Sequence, residues 1–250
     1  MNFETIWRRL MLAVQFLTVV RVRVADPVTN DELRDSAYFF PLVGLGLGVA
    51  LAVTGRMLLC VLPWQVVAVL LVVELVVLAG GLHLDGLADM CDGFYAGRDR
   101  EDTLRIMKDP HIGAMGVVGL ICVLGLKCVA LVNVPAQRGL WMVVAAPLVA
   151  RSVVVIACVM GRYAREEGTG KVYIGQLGRD HVWIALAMVV FGCTMIGHLA
   201  PAMLVFVLTG VWLMFFMFYC NRRIGGMTGD TVGALNETTE MIVLIAASCQ

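Results

Sequence analysis

Three aspartates at helical spacing form the strongest candidate for chemistry in this sequence. Asp85, Asp89 and Asp92 occur in the string HLDGLADMCDG at residues 83–93, directly after an apolar stretch. The i, i+4, i+7 spacing predicts that all three lie on one face of a helix. Their like charges repel one another, and a pair of divalent cations would relieve that repulsion. Oxygen ligands favour Mg²⁺ or Mn²⁺ over zinc, and the alternative is an ordinary solvated helix face.

A second acidic element lies near the C-terminus, in GGMTGDTVGALNETTE at residues 225–240. Asp230 and Glu237 are again seven residues apart and are predicted to share a helix face. A glycine-rich turn that includes Gly226 and Thr228 precedes this helix. Free backbone N–H groups in such a turn suit a phosphate. The alternative is that Thr228 or Asp230 simply caps the helix.

Charged residues inside apolar stretches need partners, because an unpaired charge in a membrane is costly. Glu237 and Glu240 lie within the last apolar stretch, and Arg151 lies within another. Arg151 is expected to face the interior of a helix bundle and to pair with an acid or a ligand. The alternative to a functional role for the glutamates is ion pairing with Arg151 or Lys127. Glu74 is a second potential partner of Lys127.

The basic loops supply candidate phosphate ligands. Lys108 lies in KDPHIG and Arg165 in RYAREEGTGK. Arginine can bind a phosphate through two hydrogen bonds, and lysine acts as a point charge. The alternative is that these residues only anchor the loops at a membrane surface. His83, beside the three aspartates, is predicted to be a base or a satisfied interface residue.

The elements that must position these residues are membrane helices. Apolar residues make up 60% of the 250 residues, charged residues only 15%, and the mean hydropathy is +0.87. A soluble domain has roughly 25% charged residues, so the composition excludes a soluble enzyme, a nucleic-acid binder and a disordered linker. Seven stretches approach the roughly 20 residues that a helical span needs: 42–62, 64–82, 114–134, 140–160, 182–199, 201–220 and 232–249.

The predicted fold is therefore an all-α, polytopic helical bundle, with residues 1–250 as a single membrane domain of about seven spans. A short apolar stretch from Trp7 to Val20, flanked by arginines, predicts an interfacial helix within the N-terminal segment 1–41. Of the Lys and Arg residues outside the spans, fifteen lie in that segment and in the loops 83–113, 161–181 and 221–231, against one in the alternate turns. The positive-inside rule then places these loops, with their acids, in the cytoplasm.

An acidic, metal-organising site with several basic residues predicts phosphoryl or nucleotidyl transfer. A transporter or channel is the competing class, because acids and bases could line a cation path. The concentration of the acids at one membrane face disfavours that class, although Arg151, Lys127, Glu74 and Glu240 keep it open.

Four strings together carry a resemblance to a known family: HLDGLADMCDG at 83–93, IMKDPHIGAMG at 106–116, YAREEGTG at 163–170 and GGMTGDTVGALNE at 225–237. In this order, over essentially the whole chain, they resemble the cobalamin synthases, which are adenosylcobinamide-GDP ribazoletransferases of vitamin B12 assembly. The resemblance implies that adenosylcobinamide-GDP condenses with α-ribazole or its 5′-phosphate and releases GMP, with Mg²⁺ required. The CDP-alcohol phosphotransferases follow similar logic, but their motif spacing is not met here.

The resemblance also implies roles for residues of this chain. Asp85, Asp89, Asp92 and Asp230 are expected to hold Mg²⁺ on the pyrophosphate, with Glu237 as a further ligand. One of these carboxylates is expected to accept the proton of the attacking hydroxyl. Phosphate and substrate contacts are expected from the remaining candidates: His83, Lys108, Arg151, Arg165, Gly226 and Thr228. The expected location is the bacterial inner membrane, in contact with lipid and with the site facing the cytoplasm. No nucleic-acid partner is expected, and the oligomeric state is left open.

Overall fold

The computed structural model describes residues 3–24, 27–196 and 199–249 and is built from helices. Eleven α-helices and two 3₁₀ turns, Ala37–Phe39 and Thr169–Val172, occur in these described ranges. The α-helices are α1 (Phe3–Leu17), α2 (Asn30–Ser36), α3 (Phe40–Leu58), α4 (Trp64–Leu78), α5 (Leu82–Ala96), α6 (Arg100–Ile106), α7 (Ala114–Val132), α8 (Ala136–Met160), α9 (Arg179–Met195), α10 (Leu199–Ile224) and α11 (Gly229–Ser248).

The all-α membrane fold is confirmed, whereas the count of seven spans is not. Each of the seven predicted stretches overlaps a helix, and residues 197 and 198 of the stretch 182–199 lie outside the described residues. Within the described residues, four helical segments are long and apolar enough to cross a membrane, and these are Asn30–Leu58, α7, α8 and α10. The pair α4–α5 makes five if it counts as one span. Helices α4 and α9 have only 15 and 17 residues, and α11 carries two glutamates.

Helix α8 forms the centre of the bundle, because 94% of its most apolar window is buried. Helices α3, α9 and α11 pack around it. Helix α3 approaches α8 at Gly44 and Gly48, where any side chain would collide with the α8 backbone. A Cβ on Gly48 would lie 2.6 Å from Cα of Val144, and one on Gly44 would meet the Pro147 carbonyl. Small residues permit such backbone contacts between membrane helices.

The outer helices expose apolar side chains. Only 28% of the α7 window and 33% of the α10 window are buried. Large apolar residues such as Ile121 on α7 and Phe218 on α10 are exposed. Contiguous apolar surface of this extent fits contact with lipid. The predicted interfacial helix corresponds to α1, which buries Leu12 and Leu17.

Helix α5, which carries the aspartates, runs in a different direction from the helix before it. It is bent by 91° from α4. The turn is made by Gly80 and Gly81, whose φ angles of 65° and 68° lie in the left-handed region. Residues with a Cβ rarely adopt that conformation. Because α5 does not continue the direction of α4, we place it outside the membrane-spanning segments, at the end of the bundle.

Candidate active site

The first feature of the site is a close contact between α5 and the start of α11. A Cβ on Gly86 would lie 2.7 Å from the carbonyl oxygen of Asp230, and one on Gly233 would lie 3.1 Å from that of His83. The two helices therefore touch through their backbones. This contact brings Asp230, in the first turn of α11, to the face of α5 that carries Asp85 and Asp89.

The carboxylates of Asp85, Asp89 and Asp230 lie close enough to affect one another's ionisation. The pKa of Asp89 is raised to about 7, chiefly by burial and then by the negative charges of Asp230 and Asp85. Burial also raises the pKa of Asp230, although the Arg165 guanidinium opposes that shift. Burial and like charge both penalise the ionised form. A cation at this place would therefore stabilise the cluster.

Arg165 contacts this cluster directly. Its Nη2 lies 2.8 Å from Oδ2 of Asp230. The glycine-rich turn holds the two residues opposite each other, because N–H of Met227 donates to the carbonyl of Arg162 at 2.7 Å. The return bond runs from N–H of Ala164 to the carbonyl of Met227 at 2.8 Å. Arg165 thus joins the predicted basic loop to the second acidic element.

Gly226 and Thr228 build this turn. A Cβ on Gly226 would collide with the carbonyl of Arg162, so glycine allows the two segments to pair. Thr228 is the N-cap of α11 and forms a reciprocal capping box with Thr231. Its hydroxyl also lies 3.4 Å from Oδ2 of Asp230. The alternative of an N-cap at Thr228 is therefore what the structure shows, and both residues lie beside the cluster.

Asp92 is hydrogen-bonded to the start of α7. Its Oδ2 accepts the N–H of Gly113 at 2.7 Å, and its Oδ1 accepts the N–H of Gly116 at 2.8 Å. Both carboxylate oxygens are therefore used to cap the start of α7. An aspartate at a helix N-terminus stabilises unpaired N–H groups and the helix dipole. The glycines of KDPHIGAMG leave room for this carboxylate, and they are the signal in the sequence for this contact.

Arg151 and Glu237 belong to a separate, buried ion-pair network. Nζ of Lys127 lies 2.6 Å from Glu237 and 2.6 Å from Glu240. Arg151 pairs with the other oxygen of Glu240. The structure thus shows the pairing alternative and does not bring Arg151 or Glu237 to the aspartates. The other potential partner of Lys127, Glu74, does not pair with it.

Glu74 has a different partner because its side chain contacts α3. Its Oε1 accepts a hydrogen bond from the Thr54 hydroxyl of α3 at 2.9 Å. Lys127 instead faces α11, where two carboxylates are within reach. In the network the two positive and two negative side chains balance, which lowers the cost of burying them.

Two open basic cavities meet at Arg165. One, of about 500 Å³, is lined by Lys108, Arg165, Arg100 and Arg105 together with Glu101, Glu166 and Glu167 and two apolar residues. The other, of about 580 Å³, is lined by Arg162, Arg165 and Lys171 among others. Lys108 is exposed, as a ligand for an incoming phosphate must be. The predicted basic residues Lys108 and Arg165 thus line one cavity, and Arg165 also contacts Asp230.

A third cavity, of about 270 Å³, lies against α5 and the start of α11. Asp85, Asp230 and His83 form its polar end. His83 is buried, and its Nδ1 has no hydrogen-bond partner in the described part of the chain. The remaining walls are largely apolar and come from Phe16 and Leu17 of α1, Phe40 of α3, Leu82 of α5, Val154 and Cys158 of α8, Val232 of α11, and Tyr173 and Ile174 after the second 3₁₀ turn.

The donor set suits a hard cation. Among the described residues, no group of three or more Asp, Glu, His or Cys side chains is arranged to hold a metal by itself. Mg²⁺ usually binds through one or two carboxylates together with substrate phosphates, not through a complete protein cage. Asp85 and Asp89, which make no ion pair among the described residues, supply such carboxylates. The residues present therefore fit Mg²⁺ in company with a phosphate substrate.

Comparison with known proteins identifies the family. The model of the cobalamin-5-phosphate synthase family matches residues 9–248. This chain belongs to that family. A relative from Syntrophobacter fumaroxidans is named adenosylcobinamide-GDP ribazoletransferase. It is 37% identical to this chain, over 97% of this chain and 99% of its own length.

Two further relatives carry the same name. The protein from Geotalea daltonii is 38% identical over 95% of this chain and 96% of its own length. That from Pseudomonas fluorescens is 39% identical over 94% of this chain and 97% of its own length. No solved structure matches this cobalamin-5-phosphate synthase family member. The resemblance stated from the sequence motifs is confirmed.

Proposed function

We propose that this chain is an adenosylcobinamide-GDP ribazoletransferase that carries out the late lower-ligand attachment step of cobalamin biosynthesis. The relatives' shared name and near full-length similarity support this assignment. The observation that supports it in the structure is that Asp85 and Asp230 line a largely apolar cavity, while Arg165, which pairs with Asp230, lines a basic one. A transfer from a pyrophosphate to a nucleoside needs an apolar cavity, carboxylates and a basic surface close together.

The reaction forms one P–O bond and breaks another. A ribose 3′-hydroxyl of α-ribazole, or of its 5′-phosphate, attacks the phosphorus on the corrinoid side of the pyrophosphate. The bond between the two phosphates breaks, and GMP leaves with the bridging oxygen. The hydroxyl proton passes to a carboxylate of the cluster. The products are adenosylcobalamin, or its phosphate, and GMP.

The residues of the chain bind and orient the two substrates. Asp85 and Asp89 would hold Mg²⁺, and Asp230 would join them when Arg165 turns to a phosphate. Bound Mg²⁺ would polarise the attacked phosphorus and stabilise the charge of the leaving phosphate. Arg165 and Lys108 would bind the pyrophosphate of adenosylcobinamide-GDP from the basic side. Asp92 would not bind substrate. It links α5 to the start of α7 and so fixes the orientation of α5.

We place the site on the cytoplasmic face of the bacterial inner membrane. The fifteen-to-one distribution of basic residues supports this orientation. The bend before α5 supports a location of the aspartates at the end of the bundle, where water-soluble substrates can reach them.

The two alternatives are not favoured. Family membership supports the ribazoletransferase over a CDP-alcohol-phosphotransferase-like enzyme. A cation transporter needs free polar groups at several depths of the membrane. The deep charges Lys127, Arg151, Glu237 and Glu240 are instead paired with one another.

The test uses full-length protein purified in lipid nanodiscs. With adenosylcobinamide-GDP, α-ribazole and Mg²⁺, we expect stoichiometric formation of GMP and adenosylcobalamin, measured by chromatography. Removing Mg²⁺ with a chelator should stop turnover, and adding Mg²⁺ back should restore it. Cation uptake by vesicles containing the protein, without GMP formation, would overturn the assignment.

A further inference from the structure

We propose that the 270 Å³ cavity binds the aromatic base of the acceptor nucleoside and sets which lower-ligand base the enzyme accepts. The inference rests on the proposed function and assigns a substrate to one side of the site. Under this arrangement the base enters the apolar end of the cavity. Its ribose then lies at the polar end, against Asp85 and Asp230.

The walls match a flat, apolar bicyclic ring. Phe16, Phe40 and Tyr173 form a cluster whose ring centroids lie 5.3 to 5.7 Å apart. All three line the cavity, as do Val154 and Ile174. Aromatic rings contribute a large contact area and favour stacked or edge-on contacts with another ring. The base of α-ribazole is a benzimidazole. It has few hydrogen-bonding atoms and therefore loses little by leaving water for such walls.

The other parts of the substrates do not fit this cavity. A corrin macrocycle is much larger than the benzimidazole ring and cannot enter an apolar pocket of 270 Å³. A guanine would need several donors and acceptors, because burying an unsatisfied polar group is costly. Beyond its polar end, the lining is mainly aromatic and aliphatic, and its polar side-chain groups are the Cys158 thiol and the hydroxyls of Thr169 and Tyr173. The guanine nucleotide and the corrinoid would therefore bind on the side of the open, basic cavities.

His83 provides a second observation that points to a ligand. It lines the cavity and is 6% exposed, and its Nδ1 lacks a hydrogen-bond partner within the described ranges. Buried polar atoms are nearly always hydrogen-bonded in native structures. A nucleoside in the cavity would offer ribose hydroxyls or a base nitrogen to this atom. We assign His83 to the acceptor and not to the pyrophosphate.

Under this proposal, helix α1 contributes to the binding site of the acceptor. Phe16 and Leu17 at its end form one wall of the cavity, next to Phe40 of α3. The amphipathic N-terminal helix thus closes the acceptor side of the site besides lying along the bundle. Changes at Phe16 should alter base selection without disturbing the central helices.

The experiment measures binding of each substrate alone, by equilibrium dialysis with radiolabelled α-ribazole or adenosylcobinamide-GDP and protein in nanodiscs. Phe16→Ala should weaken α-ribazole about tenfold, the loss expected for one aromatic contact, and leave adenosylcobinamide-GDP unchanged. Cys158→Phe should fill the cavity and abolish α-ribazole binding, while an imidazole riboside, with its smaller base, still binds. Phe191→Ala, which removes the same ring from the exposed face of α9, is the matched control.

The outcomes separate the two proposals. Unchanged α-ribazole binding in both cavity variants, or loss of adenosylcobinamide-GDP binding instead, would overturn the cavity assignment. Failure of the wild-type protein to bind α-ribazole would overturn it as well. If the wild-type protein binds α-ribazole in the cavity but forms no GMP with both substrates present, the cavity assignment stands and the proposed transferase function fails.

Discussion

Gly86 and Asp230 are in backbone contact, and this contact assembles the acidic cluster from two distant parts of the chain. No side chain fits between them, since a Cβ on Gly86 would lie 2.7 Å from the Asp230 carbonyl oxygen. The distance between the carboxylates of α5 and α11 is therefore set by the absence of a side chain at residue 86.

Gly86→Leu should separate α5 from α11 and reduce kcat/KM for adenosylcobinamide-GDP by about 100-fold, because misplaced reacting groups lose most of the benefit of orientation. The measurement is GMP release at several substrate concentrations. Gly46→Leu on α3 is the control, because a Cβ there has no neighbour within 4 Å. Equal losses in the two variants would show that the contact does not organise the site.

Asp89→Asn should reduce GMP release by at least about 100-fold, more than the 10- to 100-fold typical for a residue that only supports a metal ligand. The protein should still insert and elute as a single species, because Asp89 caps no helix. Asp31→Asn, at an exposed position of α2, should retain activity. Wild-type turnover by the Asp89 variant would contradict a role in metal binding.

Asp92→Ala should behave differently from Asp89→Ala, since Asp92 caps α7. Loss of the cap should lower the free energy of unfolding by about 1 kcal/mol and appear as a lower melting temperature in detergent. Asp89→Ala should not lower it, because removing one of three crowded carboxylates relieves repulsion. If Asp92→Ala instead raised the Mg²⁺ requirement at unchanged stability, Asp92 would be a ligand.

Lys127→Met should destabilise the bundle strongly, because Glu237 loses its ion-pair partner and Glu240 keeps only Arg151. Breaking a buried ion pair from one side costs about 3–5 kcal/mol. The double variant Lys127→Met/Glu237→Gln removes one charge of each sign and should recover part of that stability. Thermal unfolding in nanodiscs measures both effects.

Glu237→Gln tests whether this residue also serves the metal. We expect lower stability and an unchanged Mg²⁺ concentration at half-maximal GMP release, because Glu237 contacts Lys127 and not the aspartates. A markedly higher Mg²⁺ requirement would show that Glu237 contributes to metal binding.

Cysteine labelling in oriented vesicles tests the orientation. Tyr95 is exposed near the end of α5, and Cys60 is exposed in the turn between α3 and α4. In a background where the other exposed cysteines are replaced, Tyr95→Cys should react only from the cytoplasmic side and Cys60 only from the opposite side. The reverse pattern would invert the proposed topology.

Much of this architecture could be predicted because hydropathy and helical spacing are local properties. The apolar stretches located the long helices, and the spacing of Asp85 and Asp89 placed them on one face of α5. The motif strings identified the family. The direction of α5 could not be predicted, since it depends on two left-handed glycines at 80 and 81.

The partners of individual charges were harder to predict, because they depend on how helices are rotated against one another. Asp92 has the same helical spacing as its neighbours, yet its carboxylate caps α7. Lys127 had several acids within plausible reach, and the rotation of α11 selects Glu237 and Glu240 over Glu74. The cavity was also missed, since its aromatic wall combines α1, α3 and the segment after residue 172.

The glycine contacts between α3 and α8 have a consequence for synthesis. Gly44 and Gly48 fit against the α8 backbone at Pro147 and Val144, but the ribosome completes α3 long before α8 exists. Until then the groove on α3 can be filled only by lipid tails or by an insertion factor. We therefore expect the early α3–α4 hairpin to remain a loosely held intermediate that becomes resistant to protease only after α8 has entered the bilayer.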